Sequence, residues 1–319
     1  MAVYTKVSDS QLSSLLEKYN IGTAKELKAI EQGIENSNYF LTTDKGRFIL
    51  TIYEKRVNKN DLPFFLNLMK HLSSKNIPCP IPIITKNGQS LSEIAGRPCA
   101  IVSFLNGRST RTIRNGHLEE LGANLAKMHI ASSDFKMTRK NNLSLQSWGE
   151  LFNQVKPHAN KFKPGLANEI EETLGNLSVN WPSSLYSGVI HADLFPDNVF
   201  FEQEKLVGII DFYFACNDFL MYDIAICINA WCFESNFEFN VTKAKRILHS
   251  YNKLRNFSEQ ELDALPILAS GAALRFLLTR LHDWFNQVDG ALVKPKDPHE
   301  YLQKLRFHQG IKSHKEYGL

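Results

Sequence analysis

The sequence predicts an α+β protein of two lobes, a smaller β-rich lobe followed by a larger helical one. Three observations carry that expectation. At 319 residues the chain exceeds one ordinary domain and is comfortable as two. Short runs rich in β-branched and aromatic residues, separated by turn signals, are concentrated in the first third. Beyond about residue 105 apolar residues recur every three or four positions, interrupted by three brief strand-like runs. The boundary is placed after Leu105, giving lobes of residues 1–105 and 106–319.

Ser8 or Asp9 offers a side-chain oxygen to cap a first helix through Tyr19, with Leu12, Leu15 and Leu16 on one face. Tyr39 to Thr43 and Arg47 to Tyr53 read as strands joined by Thr43-Asp44-Lys45-Gly46, where Asp and Gly tolerate turn dihedrals. Asp61 opens an amphipathic helix. Pro78, Pro80 and Pro82 then force an extended connection, since each pushes its predecessor out of helical space. A second hairpin is expected around Lys86-Asn87-Gly88, and Pro98 to Phe104 reads as a strand. Helices are expected over 116–131, 148–155, 165–177, 219–232, 242–254, 258–284 with a break near Pro266, and 298–308. Strands at 188–190, 199–201 and 207–210 lie between them.

Composition excludes several function classes. Hydrophobic residues at 43% and charged residues at 22% are the mixture of a soluble globular protein. The 37 basic and 33 acidic side chains are dispersed, with no Lys or Arg run suited to nucleic acid, so no nucleic-acid partner is expected. Five cysteines form no Cys-x-x-Cys pair and cannot all be consumed in internal disulfides, which suits a reducing cytoplasm. No segment approaches the ~18 consecutive apolar residues of a membrane span, and the first residues lack a secretory pattern, so no membrane partner is expected.

The chemistry is concentrated in Gly188 to Phe201 and Leu206 to Tyr213. Their core is His191-x-Asp193 with Asn198 five residues on, and Asp211 at the end of an apolar strand. Phosphoryl transfer explains why these residue types occur together. Its transition state is loose and highly charged, so a protein mainly supplies position and positive charge through Mg²⁺. Asn198 and Asp211 provide the oxygen ligands that hard cation prefers. Asp193 is then the group that receives the proton of a substrate hydroxyl, and His191 braces the loop backbone. Asp197, after Pro196, is read as a turn residue.

This segment resembles the catalytic loop and metal-binding strand of the aminoglycoside phosphotransferase and choline kinase group, relatives of the protein kinases. His191-Ala192-Asp193 and Asp211-Phe212-Tyr213 stand where protein kinases carry His-Arg-Asp and Asp-Phe-Gly. Gly33 to Tyr39 is similar to the family's nucleotide-covering loop, and Leu121 to His129 to its first long large-lobe helix. Longer stretches, Phe48 to Arg56, Asp61 to Phe65, Val189 to Phe201, Ile210 to Cys216, Asn229 to Phe233 and Ala273 to Arg280, resemble the bacterial homoserine kinases built on this fold. The resemblance implies a protein-kinase-like fold, ATP and Mg²⁺ as cofactors, and homoserine as the acceptor. It also implies nucleotide contacts from Gly33, Asn36, Ser37 and Asn38, and an adenine hinge at Ser103 to Leu105. Another small alcohol or amine as acceptor, or a nucleotide-binding regulator without catalysis, are the rival readings.

One departure from the family is plain. The usual strand lysine falls on Thr51, and the helix after Asp61 carries no acidic residue through Ser74 to pair with one. Strand alternation puts Thr51, Tyr53 and Lys55 on one side, which makes Lys55 the candidate replacement cation. Arg275 and Arg280 lie in an apolar helix, about 140° apart, so at most one faces any single point. Either one clamps the substrate carboxylate or both are structural, paired with Asp223 or Asp283. Tyr213, Asp223 and Trp231 complete the candidates on the acceptor side, with Trp231 reading equally as core packing. His129 reads as a hydrogen-bonded core histidine.

Overall fold

The computed structural model describes residues 5–30, 36–54, 58–286 and 295–319. In chain order the elements are α1 (Asp9–Leu16), β1 (Ala24–Ala29), β2 (Asn36–Thr43), β3 (Gly46–Tyr53), α2 (Leu62–Ser74), β4 (Ser92–Ile94) and β5 (Arg97–Ser103). They continue as α3 (Asn115–Ala131), α4 (Leu145–Phe162), α5 (Leu166–Asn180), β6 (Ser187–Ile190), β7 (Val199–Glu202), β8 (Lys205–Ile209) and β9 (Cys216–Phe219). The last four are α6 (Leu220–Trp231), α7 (Val241–Asn252), α8 (Glu259–Phe285) and α9 (Pro298–Gly310).

The first strands form one antiparallel sheet in the order β1-β2-β3-β5-β4. Alternation along β3 and β5 sorts their side chains. Leu50, Ile52, Cys99 and Ile101 join Leu12, Leu15 and Leu16 of α1 in one apolar cluster. Tyr53 and Ala100 face the other way, against α2, in a second cluster that runs without a break into the helical region. The helix α2 is therefore packed between the sheet and the large helical region.

Asp44 and Lys45 make the tight β2–β3 turn, with Thr43 opposite Gly46. The hairpin into β5 turns at Ala95 and Gly96, both with positive φ, rather than at Lys86 to Gly88, which is an isolated turn closed by Thr85 and Gln89. Residues 36–38 belong to the strand β2, not to a loop, because Asn36, Ser37 and Asn38 lie in register with Tyr53, Ile52 and Thr51.

The predicted break near Pro266 does not occur. α8 runs unbroken through it, and its buried face carries residues from Leu265 to Leu281. Its apolar window, of mean hydropathy 1.4, is long enough to cross a membrane by length and composition, but 67% of that window is buried inside the protein as a core helix. Two short antiparallel pairs, β6 with β9 and β7 with β8, interrupt the helices. They position the candidate site.

Candidate active site

β6 ends at Ile190 and delivers His191, Ala192 and Asp193 into a tight bend. Ala192 adopts φ +62°, a left-handed conformation that L side chains rarely take. The bend is held from below by Asp223 of α6, which is fully buried. Its two carboxylate oxygens accept the N–H groups of His191 at 2.8 Å and Ala192 at 2.9 Å. His129 Nε2 approaches the same carboxylate at 3.1 Å, and its other nitrogen meets the Tyr251 hydroxyl at 2.7 Å. Burial alone would raise the Asp223 carboxyl, but the His129 and His191 contacts outweigh it and the net direction is down.

His191 works entirely on the backbone. Its Nε2 meets the Ile210 carbonyl at 2.9 Å, and Asp193 N–H donates toward Nδ1 at 3.3 Å. Those partners require a neutral ring with the proton on Nε2. Burial lowers its pKa in the same sense, against the pull of Asp223 and Asp193.

Asn198 ends the single turn Pro196–Asn198, and its Nδ2 donates to the Asp193 carbonyl at 2.8 Å and to Asp193 Oδ2 at 3.2 Å. Its carbonyl accepts Ile210 N–H at 3.0 Å. Ile210 is thereby tied to both halves of the loop, and Asp211 follows it, exposed and at φ +64°. The three residues of the sequence motif are thus joined by one backbone clamp. Asp193 is half-buried, and burial raises its carboxyl pKa against the opposing pull of Arg275, His191 and Lys296.

The donor set fits a hard divalent cation. Nδ2 of Asn198 is spent on Asp193, which leaves its amide oxygen as the ligand atom on that side chain, and the Asn198 backbone carbonyl ties down Ile210, the residue before the Asp211 carboxylate. Among the described residues no three His, Cys, Asp or Glu side chains converge as a metal cluster. An amide and a carboxylate completed by phosphate oxygens and water need no such cluster.

Other expected site residues are placed differently. Arg275 is 2% exposed and its Nη1 donates to the Ala192 carbonyl at 2.6 Å, with the guanidinium 4.5 Å over the Phe276 ring. Arg280 pairs with Glu300 at 2.6 Å and donates to the Asp297 carbonyl. Among the described residues neither pairs with Asp223 or Asp283, and both are buried. Trp231 is fully buried and donates Nε1–H to the Leu194 carbonyl at 2.7 Å, so it braces the loop rather than lining a pocket. Asp223, enclosed beneath the loop, is likewise out of reach of an acceptor. The Tyr213 hydroxyl lies 3.2 Å from that of Tyr53, linking β3 to the turn after Asp211, and burial pushes its pKa up to about 12.

In the small lobe, Thr51 donates to Asn38 Oδ1 at 2.8 Å, and Ser37 Oγ to Glu54 Oε1 at 2.7 Å. Arg97 completes an ion pair with Glu54 at 3.1 Å. The acid of this region is not on α2 but is the buried Glu54, directly after β3, a position that no local pattern marks. Ser103 N–H is taken by the Ile81 carbonyl at 2.9 Å, while Leu105 packs over Gly208 of β8. Gly33 and Lys55 lie outside the described residues.

A β-rich lobe on a helical one, with a buried Asp holding a His-x-Asp bend beside an Asn and a second Asp, defines a kinase-like phosphotransferase. The family model described as phosphotransferase enzyme family matches residues 26–257. Relatives named homoserine kinase from Xanthobacter autotrophicus and Paramagnetospirillum magneticum are 55% and 53% identical, each across all of this chain and 99% and 100% of their own. The chain belongs to the phosphotransferase enzyme family. Among solved structures, a spectinomycin phosphotransferase covers 98% of both chains at TM-score 0.69 and 14% identity. A choline kinase from Cryptosporidium parvum covers 91% of this chain and 89% of its own at TM-score 0.64 and 16% identity. An amicoumacin kinase solved with AMP-PNP and Ca²⁺ covers 93% of this chain and 91% of its own at TM-score 0.68 and 15% identity. These three share the fold.

Proposed function

We propose that the protein is an ATP-dependent kinase that phosphorylates the side-chain hydroxyl of L-homoserine, giving O-phospho-L-homoserine and ADP. The observation that carries this reading is full-length identity of 55% to a homoserine kinase, with the Asp193, Asn198 and Asp211 constellation intact. Asp193 accepts a hydrogen bond from the substrate hydroxyl and takes its proton as that oxygen bonds to the γ-phosphorus. The bond from the γ-phosphorus to the β,γ-bridging oxygen breaks, and ADP leaves. The Asn198 amide orients the Asp193 carboxylate, while Ala192, pinned by Asp223 and Arg275, fixes its backbone. Burial makes Asp193 a better proton acceptor than a solvated aspartate. Asn198 and Asp211 are the residues that would hold Mg²⁺. Bound there, it supplies positive charge for the phosphate oxygens.

Nucleotide contacts are proposed at the Ser103 and Leu105 backbone for adenine, and at Gly33, Lys55 and residues Asn36, Ser37 and Asn38 at the start of β2 for the phosphates. The lobe boundary is proposed after Leu105. All five cysteines are buried and free of disulfides, which supports a reducing cytoplasm as the compartment. An ADP-release assay with homoserine, choline and an aminoglycoside tests the acceptor. Homoserine should be turned over with the highest kcat/KM; faster turnover of either other acceptor would overturn the assignment.

A further inference from the structure

We propose that Lys296 and Asp197 form the amino-acid end of the acceptor site, Lys296 receiving the carboxylate and Asp197 the ammonium of a zwitterion whose hydroxyl meets Asp193. This deepens the reading of homoserine as acceptor and rests on it. Lys296 Nζ lies 3.6 Å from Asp197 Oδ2, with the two side chains 58% and 65% exposed. A charge-assisted hydrogen bond closes to about 2.7–2.9 Å, so the pair is juxtaposed but loosely engaged. By contrast Arg280 reaches Glu300 at 2.6 Å and Arg306 grips both oxygens of Glu169 at 2.6 Å. A loose, solvated pair is readily exchanged for an incoming group of opposite double charge.

The placement suits the reaction. Asp197 shares the Pro196–Asn198 turn whose Asn198 amide touches Asp193. Both Lys296 and Asp197 act electrostatically on the Asp193 carboxylate, with opposite sign. Homoserine separates its hydroxyl from its zwitterionic carbon by two methylenes, a span of roughly 4 Å at ordinary bond lengths. Lys296 Nζ stands 5.3 Å over the ring of Phe195, which packs edge-on against Phe276 at 4.9 Å. That fixed ring offers the methylenes an apolar floor. Of the cations acting on Asp193, Arg275 is buried on the Ala192 carbonyl, whereas Lys296 faces solvent. Arg280 holds the neighbouring turn through the Asp297 carbonyl, and Asp297 caps α9 by accepting His299 N–H at 2.8 Å. Arg280 thus holds in place the turn that follows Lys296.

The test compares wild type, Lys296→Met, Lys296→Arg and Asp197→Asn. Each is assayed with L-homoserine, and with 3-aminopropan-1-ol and 4-hydroxybutanoate as inhibitors; the first analogue lacks the carboxylate and the second the amine. Lys296→Met should raise the homoserine KM roughly 10- to 100-fold, the effect of one charged hydrogen bond. The ATP KM and the inhibition constant of 3-aminopropan-1-ol should not move, and Lys296→Arg should recover most of the loss. Asp197→Asn should spare 4-hydroxybutanoate instead. Unchanged homoserine KM in Lys296→Met, or equal weakening of both analogues, overturns the proposal. A wild type inert toward homoserine would instead remove the reading on which it rests.

Discussion

Ala192 turns through a left-handed conformation with its N–H on Asp223 and its carbonyl on Arg275, so one strained peptide is held from two helices. Non-glycine residues in that region cost of order 1–3 kcal/mol and persist only when their surroundings over-determine them. Arg275→Met leaves the Ala192 carbonyl unpaired in the core, a loss of about 1–3 kcal/mol. It should lower kcat roughly 10- to 100-fold with little change in ATP KM, whereas Arg275→Lys, which keeps a donor, should retain part of kcat. Steady-state kinetics with a Tm for each variant checks this, and equal loss of kcat in both variants would contradict it. The motif of Asp193, Asn198 and Asp211 was legible because all three fall within one short stretch at fixed spacing. Arg275 was legible only as an anomalous charge in an apolar helix. Its partner lies 83 residues away, and local pattern holds no record of such a contact.

Elements were legible in proportion to how one-sided their burial is. The strand β1, Ala24–Ala29, escaped notice because it is an edge strand whose side chains are mostly exposed, leaving no apolar alternation. The four residues of β9 carry too short a pattern, and their pairing with β6 is tertiary. Pro266 looked like a break, yet α8 continues because its buried contacts outweigh one missing backbone hydrogen bond. Gly122 marks a contact that sequence cannot show. A Cβ there would come within 2.3 Å of the Ile247 carbonyl, so α3 and α7 touch backbone to backbone. Gly122→Ala should force them apart and lower stability by about 1–3 kcal/mol, read as a reduced Tm; an unchanged Tm would contradict it. His308 on α9 is fully enclosed between the Tyr317 hydroxyl and Asn229. Burial and then Lys304 depress its pKa from 6.5 to about 3. Between those values the unfolded chain binds a proton that the folded one refuses, so stability present above pH 6.5 is lost as pH falls through that window. Tm should therefore decline from pH 7 to pH 5, and His308→Gln should flatten that decline; an equally steep decline in the variant would contradict it.

At the scale of the molecule, the sheet with α1 encloses one apolar cluster, while α2 belongs to the continuous core of the helical region. The two-lobed α+β architecture was legible from the switch in periodicity near residue 105. The link between the lobes was not, since it is made by contacts between distant residues, such as Tyr53 meeting Tyr213 across 160 residues. Residue 51 on the central strand is a threonine bonded to Asn38, so neutral hydroxyl and amide groups occupy that part of the small lobe. The proposed reaction moves the γ-phosphoryl group of ATP onto homoserine with Asp193 as the proton acceptor. Phosphorus NMR of the enzyme with L-homoserine, ATP and MgCl₂ tests it most directly. A phosphomonoester signal should grow with wild type and at least ~100-fold more slowly with Asp193→Asn, a variant that still binds ATP. No phosphomonoester from wild type, or an equal rate from the variant, would contradict it.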